Sequence, residues 1–254
     1  MTACLLVLYL VLSSSCEQAA AVAAQFRQHQ LEEAVLANDA AAGAKALELG
    51  ADPDGIFTLT PARLVELSVR SRRLPHYFAG ETRARPLILA ASLGENAVCA
   101  ALLEHGANRY LSSQWGWVAA QYAARLDHPE LAQRLMESDP LCAHFNIVVE
   151  LDRQEVVLYK DGIPVVSGSI STGKPGYDTP PGHYLVTDKI RLQRSTIYKV
   201  KMPYFLRLSF SEYGIHLGVN PGRPASHGCI RIGKASVARS VFERTPIGTL
   251  VTIE

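Results

Sequence analysis

The sequence predicts an α+β protein of two domains, an N-terminal all-α stack of helical repeats and a C-terminal, mostly-β domain. At 254 residues the chain exceeds the usual size of a single domain. The apolar pattern is helical and repetitive over residues 18–140, and it changes to short β-branched runs over residues 141–254. Residues 1–17 stand apart as a candidate signal peptide.

Composition and charge narrow the class of protein. Hydrophobic residues make up 48% of the chain and charged residues 19%, which is typical of a globular protein and not of a disordered one. There are 25 basic and 24 acidic residues, for a formal charge of +1, with no long run of either sign. We therefore predict no nucleic-acid partner and no electrostatic membrane tether.

The N-terminus has the features of an export signal. An apolar stretch after Met1 ends in small residues before Cys16, and it is too short to span a bilayer as a mature helix. The segment resembles a bacterial lipoprotein signal, which implies lipidation of Cys16 and attachment to a membrane. Such signals usually have an aliphatic residue where Ser13 stands, and a basic residue before the apolar run. Ordinary cleavage, an uncleaved anchor and a buried first helix stay open as alternatives.

The helical segment repeats. Residues 89–98 align with residues 122–131 at an offset of 33, which is the ankyrin period. Residues 102–108 resemble the end of an ankyrin second helix with its glycine turn, and residues 47–52 are a second copy. Those two copies are 56 apart rather than a multiple of 33, so residues 56–85 must be irregular. We predict about three ankyrin-like units with a distorted middle.

A short repeat stack buries its apolar faces only between neighbours and leaves a concave surface. Two interpretations of that surface stay open: it binds a protein partner, or the repeats merely space or shield the other domain. The middle of the segment is rich in arginine. These side chains are either a site for acidic partners or phosphate-bearing wall polymers, or a solvated helical face. They are Arg63, Arg70, Arg72, Arg73, Arg83 and Arg85.

The C-terminal segment has the sequence pattern of a β-sheet. Short β-branched runs begin at Phe145 and recur with Gly and Pro turns between them, so an antiparallel or mixed all-β domain is predicted. Only residues 234–244 have a helical pattern, and residues 249–253 form a closing strand.

One short stretch of this segment carries candidate chemistry. Residues 226–231 read Ser-His-Gly-Cys-Ile-Arg, and His216 precedes them. Cys229 is a nucleophile with His216 and His227 as candidate bases, Gly228 loosens the backbone so that N–H groups can be aimed, and Arg231 is a cation for a carboxylate. These are the parts of a thiolate site.

The same segment resembles the L,D-transpeptidase catalytic (YkuD-like) domain of bacterial cell-wall enzymes, because its motifs occur in the order found in that family. The resemblance implies a β-sandwich-like fold with a catalytic groove, activity in the periplasm or cell envelope, peptidoglycan stem peptides as substrate, and no metal or organic cofactor. The matching motifs are residues 160–162, 171–174, 179–182, 202–205, 214–216 and 226–231.

The resemblance also assigns roles. In that family the cysteine of Ser-His-Gly-Cys is the nucleophile and the upstream histidine is the base, which implies Cys229 and His216 here. A nearby imidazolium is expected to lower the thiol pKa and populate the thiolate. Backbone N–H groups of His227, Gly228 and Cys229 are the candidate donors to the tetrahedral oxygen. His227 has a second interpretation, as a residue that only shapes the loop.

Other residues are candidate substrate contacts. Arg231 is expected to hold a substrate carboxylate in a forked pair, and Ser226 and Tyr204 are expected to contact substrate or support the site. Many relatives have Gly directly after the base histidine, whereas Leu217 and then Gly218 follow here. A backbone carbonyl is therefore expected to orient the imidazole in place of an acidic partner.

The number and spacing of the cysteines and histidines do not favour a zinc site or a disulfide framework. A zinc site needs four ligands, and no further Cys or His lies at a suitable spacing. The five cysteines are too few and too scattered for a disulfide framework, and an odd number indicates a free thiol.

The leading hypothesis is an L,D-transpeptidase. The alternatives are an L,D-carboxypeptidase or amidase on the same substrate, attachment or release of a wall-linked protein, and a non-catalytic wall-binding adaptor that uses the repeats.

Overall fold

A computed structural model describes residues 2–70, 72–78, 83–136, 138–195 and 198–254, with the backbone alone for residues 2–16. The chain divides into two compact units, Met1–Ala119 and Ala120–Glu254. Each unit is described by itself.

The first unit is built from helices with one short strand pair. Its helices are α1 (Thr2–Ala37), α2 (Ala40–Glu48), α3 (Pro61–Ser68), α4 (Leu74–Tyr77), α5 (Pro86–Ser92) and α6 (Asn96–Glu104). Its strands β1 (Phe57–Thr58) and β2 (Arg83–Ala84) are antiparallel.

Helix starts in this unit coincide with side chains that cap them. The carboxylate of Asp39 accepts from the N–H of Ala42 at 2.9 Å, and the hydroxyl of Thr60 accepts from the N–H of Arg63 at 3.2 Å. Such caps satisfy N–H groups that have no partner within the helix. Helix α1 packs against α2 and α5, and α2 packs against α6. The unit therefore has a helical core.

An ankyrin stack is not established, although part of the predicted period is present. Helices α5 and α6 begin at Pro86 and Asn96, and a second pair, α7 (Ala119–Arg125) and α8 (Pro129–Leu135), begins 33 residues later in both cases. The second pair falls in the other compact unit, apart from its first residue. The sequence offset of 33 thus corresponds to a repeated helix pair rather than to a demonstrated repeat stack.

Two residues of the arginine-rich middle are used inside the first unit. Arg63 lies 2.6 Å from the carboxylate of Glu33, and Arg70 lies 2.5 Å from that of Glu95. Glu95 is buried, and desolvation raises its pKa to about 7 against the opposing effect of Arg70. These arginines bind carboxylates of their own chain, a use that the sequence analysis did not consider.

Helix α1 runs without a break through the end of the predicted signal peptide. Within the part of the chain that the structure describes, no helix has the length and apolar character needed to cross a bilayer. The side chain of Cys16, the candidate lipidation site, lies outside the described residues, so its lipidation stays a prediction.

The second unit contains helices α7 and α8, a 3₁₀ turn (Pro140–His144), helix α9 (Ala235–Arg244) and eight strands. The strands are β3 (Phe145–Glu150), β4 (Glu155–Lys160), β5 (Ile163–Ser171), β6 (Gly182–Arg194), β7 (Lys201–Leu208), β8 (Gly214–Leu217), β9 (Ile230–Ile232) and β10 (Leu250–Ile253).

These strands form a closed barrel and not the predicted sandwich. Their order around the barrel is β10-β3-β4-β5-β9-β8-β7-β6. The correction has a structural reason: two strands are shared between both halves of the sheet. Strand β6 pairs with β10 through residues 182–185 and with β7 through residues 186–194, and β5 likewise pairs with both β4 and β9. Sharing both strands closes the sheet and removes its free edges.

The core lies inside this barrel. Inward side chains alternate with outward ones along each strand, as the pleat requires. Helix α9 packs against β5, β7, β8 and β9 and adds Ala238 and Val241 to the core. Core residues from the strands include Ile147, Val149, Leu158, Ile170, Leu206, Ile215, Ile230 and Val251.

The second unit begins earlier in the chain than the predicted domain at 141–254. Hydrogen bonds connect the preceding helices to the barrel. Arg125 of α7 donates to the carbonyl of Phe210 at 2.8 Å, and Gln133 of α8 donates to the carbonyl of Gly248 at 2.7 Å. These contacts join residues far apart in the sequence, so they could not be predicted from the change from a helical to a β-strand pattern near residue 140.

Candidate active site

His216 and Arg231 lie on the parallel strand pair β8–β9, and Cys229 immediately precedes β9. His216 is paired with Arg231, and Ile215 with Ile230. Since both isoleucines face the barrel core, alternation places His216, Arg231 and Cys229 on the opposite face. Cys229 lies two residues before Arg231, the partner of His216 in the strand pair, so Cys229 and His216 are diagonal neighbours on that face.

A cavity of about 500 Å³ opens on that face. It brings together five of the seven residues that the sequence predicted for the site: Cys229, His216, His227, Arg231 and Ser226. Its other described lining residues are Gln193, Arg194, Ser195, Tyr198, Val200, Met202, Phe205, Arg207, Glu212, Tyr213 and Ala225. The hairpin of β6 and β7 therefore supplies one wall.

A backbone carbonyl orients His216, as the sequence predicted. The Nδ1 atom lies 2.7 Å from the carbonyl oxygen of Leu217, and since a carbonyl only accepts, Nδ1 carries the proton. The Nε2 atom is then left with a free lone pair. Burial lowers the pKa of His216, the bond to Leu217 opposes this, and Arg231 adds to the lowering. His216 is thus an oriented, neutral base at pH 7.

Cys229 is half-buried beside the start of β8. Its sulfur lies 3.9 Å from the carbonyl oxygen of Glu212. Burial raises the pKa of the thiol above its ordinary 9.0, and the N–H of Gly214 and the charges of Arg231 and Arg207 oppose this only in part.

This arrangement corrects one expectation from the sequence. An imidazolium was expected to lower the thiol pKa, but burial shifts both groups toward their neutral forms. Both pKa shifts favour the neutral forms, Cys229 as a thiol and His216 as an imidazole.

Side-chain hydroxyls hold the loop that presents the cysteine. The hydroxyl of Ser226 donates to the carbonyl of Cys229 at 2.6 Å and accepts from the N–H of Gly228 at 3.1 Å. Thr179 donates to the carbonyl of Gly228 at 2.8 Å and accepts from the N–H of Gly173 at 2.9 Å. Ser226 lines the cavity, but its hydroxyl is bonded within the loop.

Two features of the structure, a positive φ and a close neighbouring ring, require glycine at position 228. Its φ is +109°, and a Cβ there would lie 2.4 Å from the ring of Tyr213. The predicted set of oxyanion donors changes, because the N–H of Gly228 is bonded to Ser226. The N–H groups of His227 and Cys229 have no acceptor among the residues that the structure describes. These two remain the candidate donors.

Arg231 is a half-buried cation that lines the cavity. Its Nε and Nη2 atoms are buried and make no hydrogen bond within the described part of the chain. Its aliphatic stem lies over Gly218, where an added Cβ would come within 2.9 Å of Cγ. The unusual Leu217-Gly218 order thereby makes room for this side chain. A guanidinium that lines a cavity and has donors without a partner is suited to a carboxylate.

His227 belongs to a rim that we define as His227, Tyr177 and Tyr198. The imidazole is exposed, with its ring centre 4.6 Å from that of Tyr177 and 4.4 Å from that of Tyr198. Loss of hydration between the rings, followed by the charges of Lys174 and Arg231, lowers the pKa of His227. Nothing in this geometry orients it toward the sulfur.

Tyr204 is not among the described residues that line the cavity. Its ring packs at 5.7 Å from that of Phe242 on α9. The next residue, Phe205, lines the cavity, and its ring centre lies 6.0 Å from that of His216. Met202 and Phe205 both line the cavity although they are three residues apart, so the alternation along β7 is interrupted between them, where Tyr204 has a φ of +56°. The sequence motif pointed to the right strand but not to this interruption.

Metal ligation and disulfide bonding have no counterpart in the described residues. No group of three or more His, Cys, Asp and Glu side chains is placed there to hold a metal ion. Cys99, Cys142 and Cys229 are free thiols, and the first two are buried.

Sequence reasoning missed several residues outside the motif that line the cavity. Glu212 and Tyr213 precede β8, and Tyr198 and Met202 belong to the β6–β7 hairpin. The only signal for Glu212 and Tyr213 was their position just before the Gly-Ile-His step.

Comparisons with known proteins bear on the second unit. The family model of the L,D-transpeptidase catalytic domain (YkuD) matches residues 145–253. This match confirms the catalytic domain that the motifs predicted. No curated protein matches the chain.

Several solved structures are similar to part of the chain. An L,D-transpeptidase from Mycobacterium smegmatis is 20% identical with a TM-score of 0.42, and the similarity covers 44% of this chain and 58% of that one. One from Mycobacterium tuberculosis H37Rv is 23% identical with a TM-score of 0.41, covering 44% and 57%. One from Stackebrandtia nassauensis is 22% identical with a TM-score of 0.41, covering 50% and 65%. The chain spans less than two thirds of the length of each.

Proposed function

We propose, from the premise that residues 145–253 are an L,D-transpeptidase catalytic domain, that the protein cross-links peptidoglycan stem peptides through a cysteine thioester. One observation carries the proposal. Cys229 shares a cavity with a buried, oriented base, His216, and with an unpaired guanidinium, that of Arg231. Nucleophile, base and carboxylate receptor are the groups that acyl transfer between peptides requires.

In the first step, Nε2 of His216 takes the thiol proton while the sulfur of Cys229 attacks the carbonyl carbon of the third stem-peptide residue. A C–S bond forms, and the C–N bond to the terminal D-alanine breaks. The leaving amine takes the proton from the imidazolium. The thiol proton is removed as the C–S bond forms, which fits a thiol whose pKa is raised.

In the second step, the amine of another stem peptide attacks the thioester. His216 takes the amine proton, a C–N bond forms, the C–S bond breaks, and the sulfur recovers a proton from the imidazolium. Water in place of the amine gives the carboxypeptidase outcome on the same acyl-enzyme.

Two further features support the transition state and the leaving group. Negative charge on the tetrahedral oxygen is stabilised by the N–H groups of His227 and Cys229, which have no other acceptor among described residues. Arg231 holds the carboxylate of the terminal residue, because it lines the cavity and its Nε and Nη2 atoms have no hydrogen-bond partner among the described residues.

The proposed activity belongs in the cell envelope, where peptidoglycan lies. The apolar N-terminal segment supports export, with lipidation of Cys16 as one route of attachment. The partner of the helical unit, if its surface binds one, is a protein.

The test incubates the purified protein with a disaccharide tetrapeptide, with and without a second stem peptide as amine donor. Mass spectrometry of the products distinguishes cross-linking, trimming by water, and binding without turnover. Cys229→Ala removes the acyl-enzyme, whereas Cys99→Ala, at a buried thiol of the other unit, keeps it. Turnover that survives Cys229→Ala overturns the proposal. A wild-type protein that forms no adduct with any donor also overturns it.

A further inference from the structure

Segment 173–179 holds two carbonyls of the loop that presents Cys229. The hydroxyl of Thr179 donates to the carbonyl of Gly228 at 2.8 Å, and the N–H of Lys174 donates to the carbonyl of Ser226 at 3.0 Å. Thr179 is buried, and it is not among the described residues that line the cavity. Its hydroxyl therefore serves the loop and not a ligand in the cavity.

Each of these two carbonyls shares a peptide group with one candidate oxyanion donor. The carbonyl carbon of Gly228 is bonded to the nitrogen of Cys229, and that of Ser226 to the nitrogen of His227. A peptide group is planar, and in its trans form the C=O and the N–H point in opposite directions. Because both carbonyls are turned toward segment 173–179, both N–H groups point away from it. Neither N–H has an acceptor among the residues that the structure describes.

The peptide group after Gly228 needs such a contact more than the others in the loop. Gly228 has a φ of +109°, and glycine lacks the Cβ that restricts backbone rotation in other residues. Rotation of that peptide plane would turn the N–H of Cys229 away from its present direction. The N–H of Gly228 is bonded to the hydroxyl of Ser226, which fixes the preceding peptide group and not the following one. The hydroxyl of Thr179 holds the following one.

Thr179 is itself held in one orientation. Its hydroxyl accepts from the N–H of Gly173 at 2.9 Å, so its own proton is directed to the carbonyl of Gly228. Pro180 follows it, and a residue before proline is restricted to extended conformations. Gly173 lets the segment close on itself, because an added Cβ would lie 2.6 Å from the nitrogen of Thr179. The contact is therefore in place before a substrate binds.

We propose that Thr179 is a positioning residue that orients the N–H of Cys229 toward the tetrahedral oxygen by holding the carbonyl of Gly228. The inference rests on the proposed function, in which that N–H helps to stabilise the negative charge on this oxygen. The hydrogen bond also polarises the peptide group, since a carbonyl that accepts a bond makes its partner N–H a better donor. Thr179 thus acts on the transition state of acyl transfer without contacting the substrate.

Two reactions of Cys229 distinguish this role from simple support of the loop. Acylation by a stem-peptide donor passes through a tetrahedral oxyanion, which needs oriented N–H groups. Alkylation by iodoacetamide forms a C–S bond at a saturated carbon as the C–I bond breaks, and no oxyanion develops. Both reactions depend on the placement and the pKa of the thiol. A positioning role therefore predicts a loss of acylation with unchanged alkylation.

The experiment compares the wild-type protein with Thr179→Val, which keeps the shape without the hydroxyl, and with Thr179→Ser, which keeps the hydroxyl. Intact-protein mass spectrometry measures acylation over a range of donor concentrations. Thr179→Val should lower the maximal rate by about 10–100-fold, less than removal of a whole oxyanion donor, and should leave the half-saturating donor concentration unchanged. Thr179→Ser should acylate within about threefold of the wild type. Iodoacetamide alkylation should proceed at the wild-type rate in both variants.

Thr249→Val is the matched control. Thr249 is a fully buried threonine of the same unit, and its hydroxyl donates to the carbonyl of Pro246 at 2.9 Å. It is not among the described residues that line the cavity. The variant loses the same type of hydrogen bond as Thr179→Val, so the cost to stability should be similar. Acylation by Thr249→Val should keep the wild-type rate.

Wild-type acylation by Thr179→Val overturns the inference and leaves the proposed function intact. An equal loss in Thr249→Val also overturns it, because the loss then follows stability, and so does equally slow acylation by Thr179→Ser. If alkylation of Thr179→Val falls with acylation, or rises to the rate of the urea-unfolded protein, Thr179 only supports the loop and the inference is wrong. A wild-type protein that forms no acyl-enzyme contradicts the proposed function, and the inference with it.

Discussion

The floor of the cavity and its rim differ in how their residues are positioned. The floor, which we define as Cys229, His216 and Arg231, lies on or beside the paired strands β8 and β9. The rim of His227, Tyr177 and Tyr198 lies on loops and is connected by ring contacts. A strand ladder holds side chains in register, whereas exposed ring contacts leave them adjustable.

The two histidines show what this difference means for chemistry. His216 is 6% exposed and bonded to a carbonyl, so one tautomer is selected and Nε2 is free to accept a proton. His227 has an imidazole in solvent between two tyrosines. A base needs a defined lone pair near the proton it takes, which His216 has and His227 lacks. Proton transfer is therefore expected at His216 and not at His227.

The largest expected effect is at the nucleophile. Cys229→Ala should abolish acyl-enzyme formation and cross-linking, because no other described thiol lies in the cavity. Intact-protein mass spectrometry after incubation with donor checks this. Cys142→Ala should retain the adduct, and an adduct that persists without Cys229 contradicts the assignment.

Next comes the base. His216→Asn should slow acylation by about 10²–10⁴-fold, the usual range for a general base, while substrate binding changes little. Acylation rates over a range of donor concentrations separate the two effects. A rate within tenfold of the wild type would move the base elsewhere, with His227 the first alternative.

The pH dependence of Cys229 alkylation tests whether Cys229 and His216 are both neutral near pH 7. Because the thiol pKa is raised above 9.0 and the pKa of His216 is lowered below 6.5, iodoacetamide alkylation of Cys229 should rise about tenfold per pH unit from 7 to 9. Cys229→Ala gives the background at each pH. A flat profile across this range would indicate a thiolate–imidazolium pair instead.

Replacing the unpaired cation should have an intermediate effect. Arg231→Lys keeps the charge but loses the forked donors, so donor kcat/KM should fall about tenfold. The loss should be largest for donors with a free terminal carboxylate and small for donors with an amidated terminus. An equal loss on both would show that Arg231 supports the site rather than binding that carboxylate.

The smallest effect is expected at the rim. His227→Phe preserves a ring between Tyr177 and Tyr198, so acylation should change by less than about threefold. The comparison with His216→Asn under identical conditions is decisive. A loss of 10²-fold or more at His227 would mean that rim and floor share the proton transfer.

The sequence predicted most of the second unit and the identity of the floor. Cys229 and His216 were found from a short motif, because glycine, histidine and cysteine at fixed spacing have few other uses. Tyr204 was expected to contact substrate or support the site, but it is not among the described residues that line the cavity, and its ring packs against that of Phe242. Strand β7 was predictable, but which of its faces meets the cavity depends on partners that are distant in sequence.

The predicted repeats show a similar limit. An offset of 33 identified equivalent helix pairs, yet period alone does not say which unit each pair packs into. The capped helix starts, by contrast, depend on residues three positions apart and are local.

By itself the sequence determined the helical and β-rich halves, the candidate nucleophile and base, and the need for glycine before the cysteine. These properties depend on residue type and on short spacing. Only the tertiary structure decided that the sheet closes into a barrel, that the carbonyl of Leu217 orients His216, that burial raises the pKa of the thiol, and that the carbonyl of Glu212 lies beside the sulfur. Burial and strand register create these properties, and both arise from contacts between residues far apart in the chain.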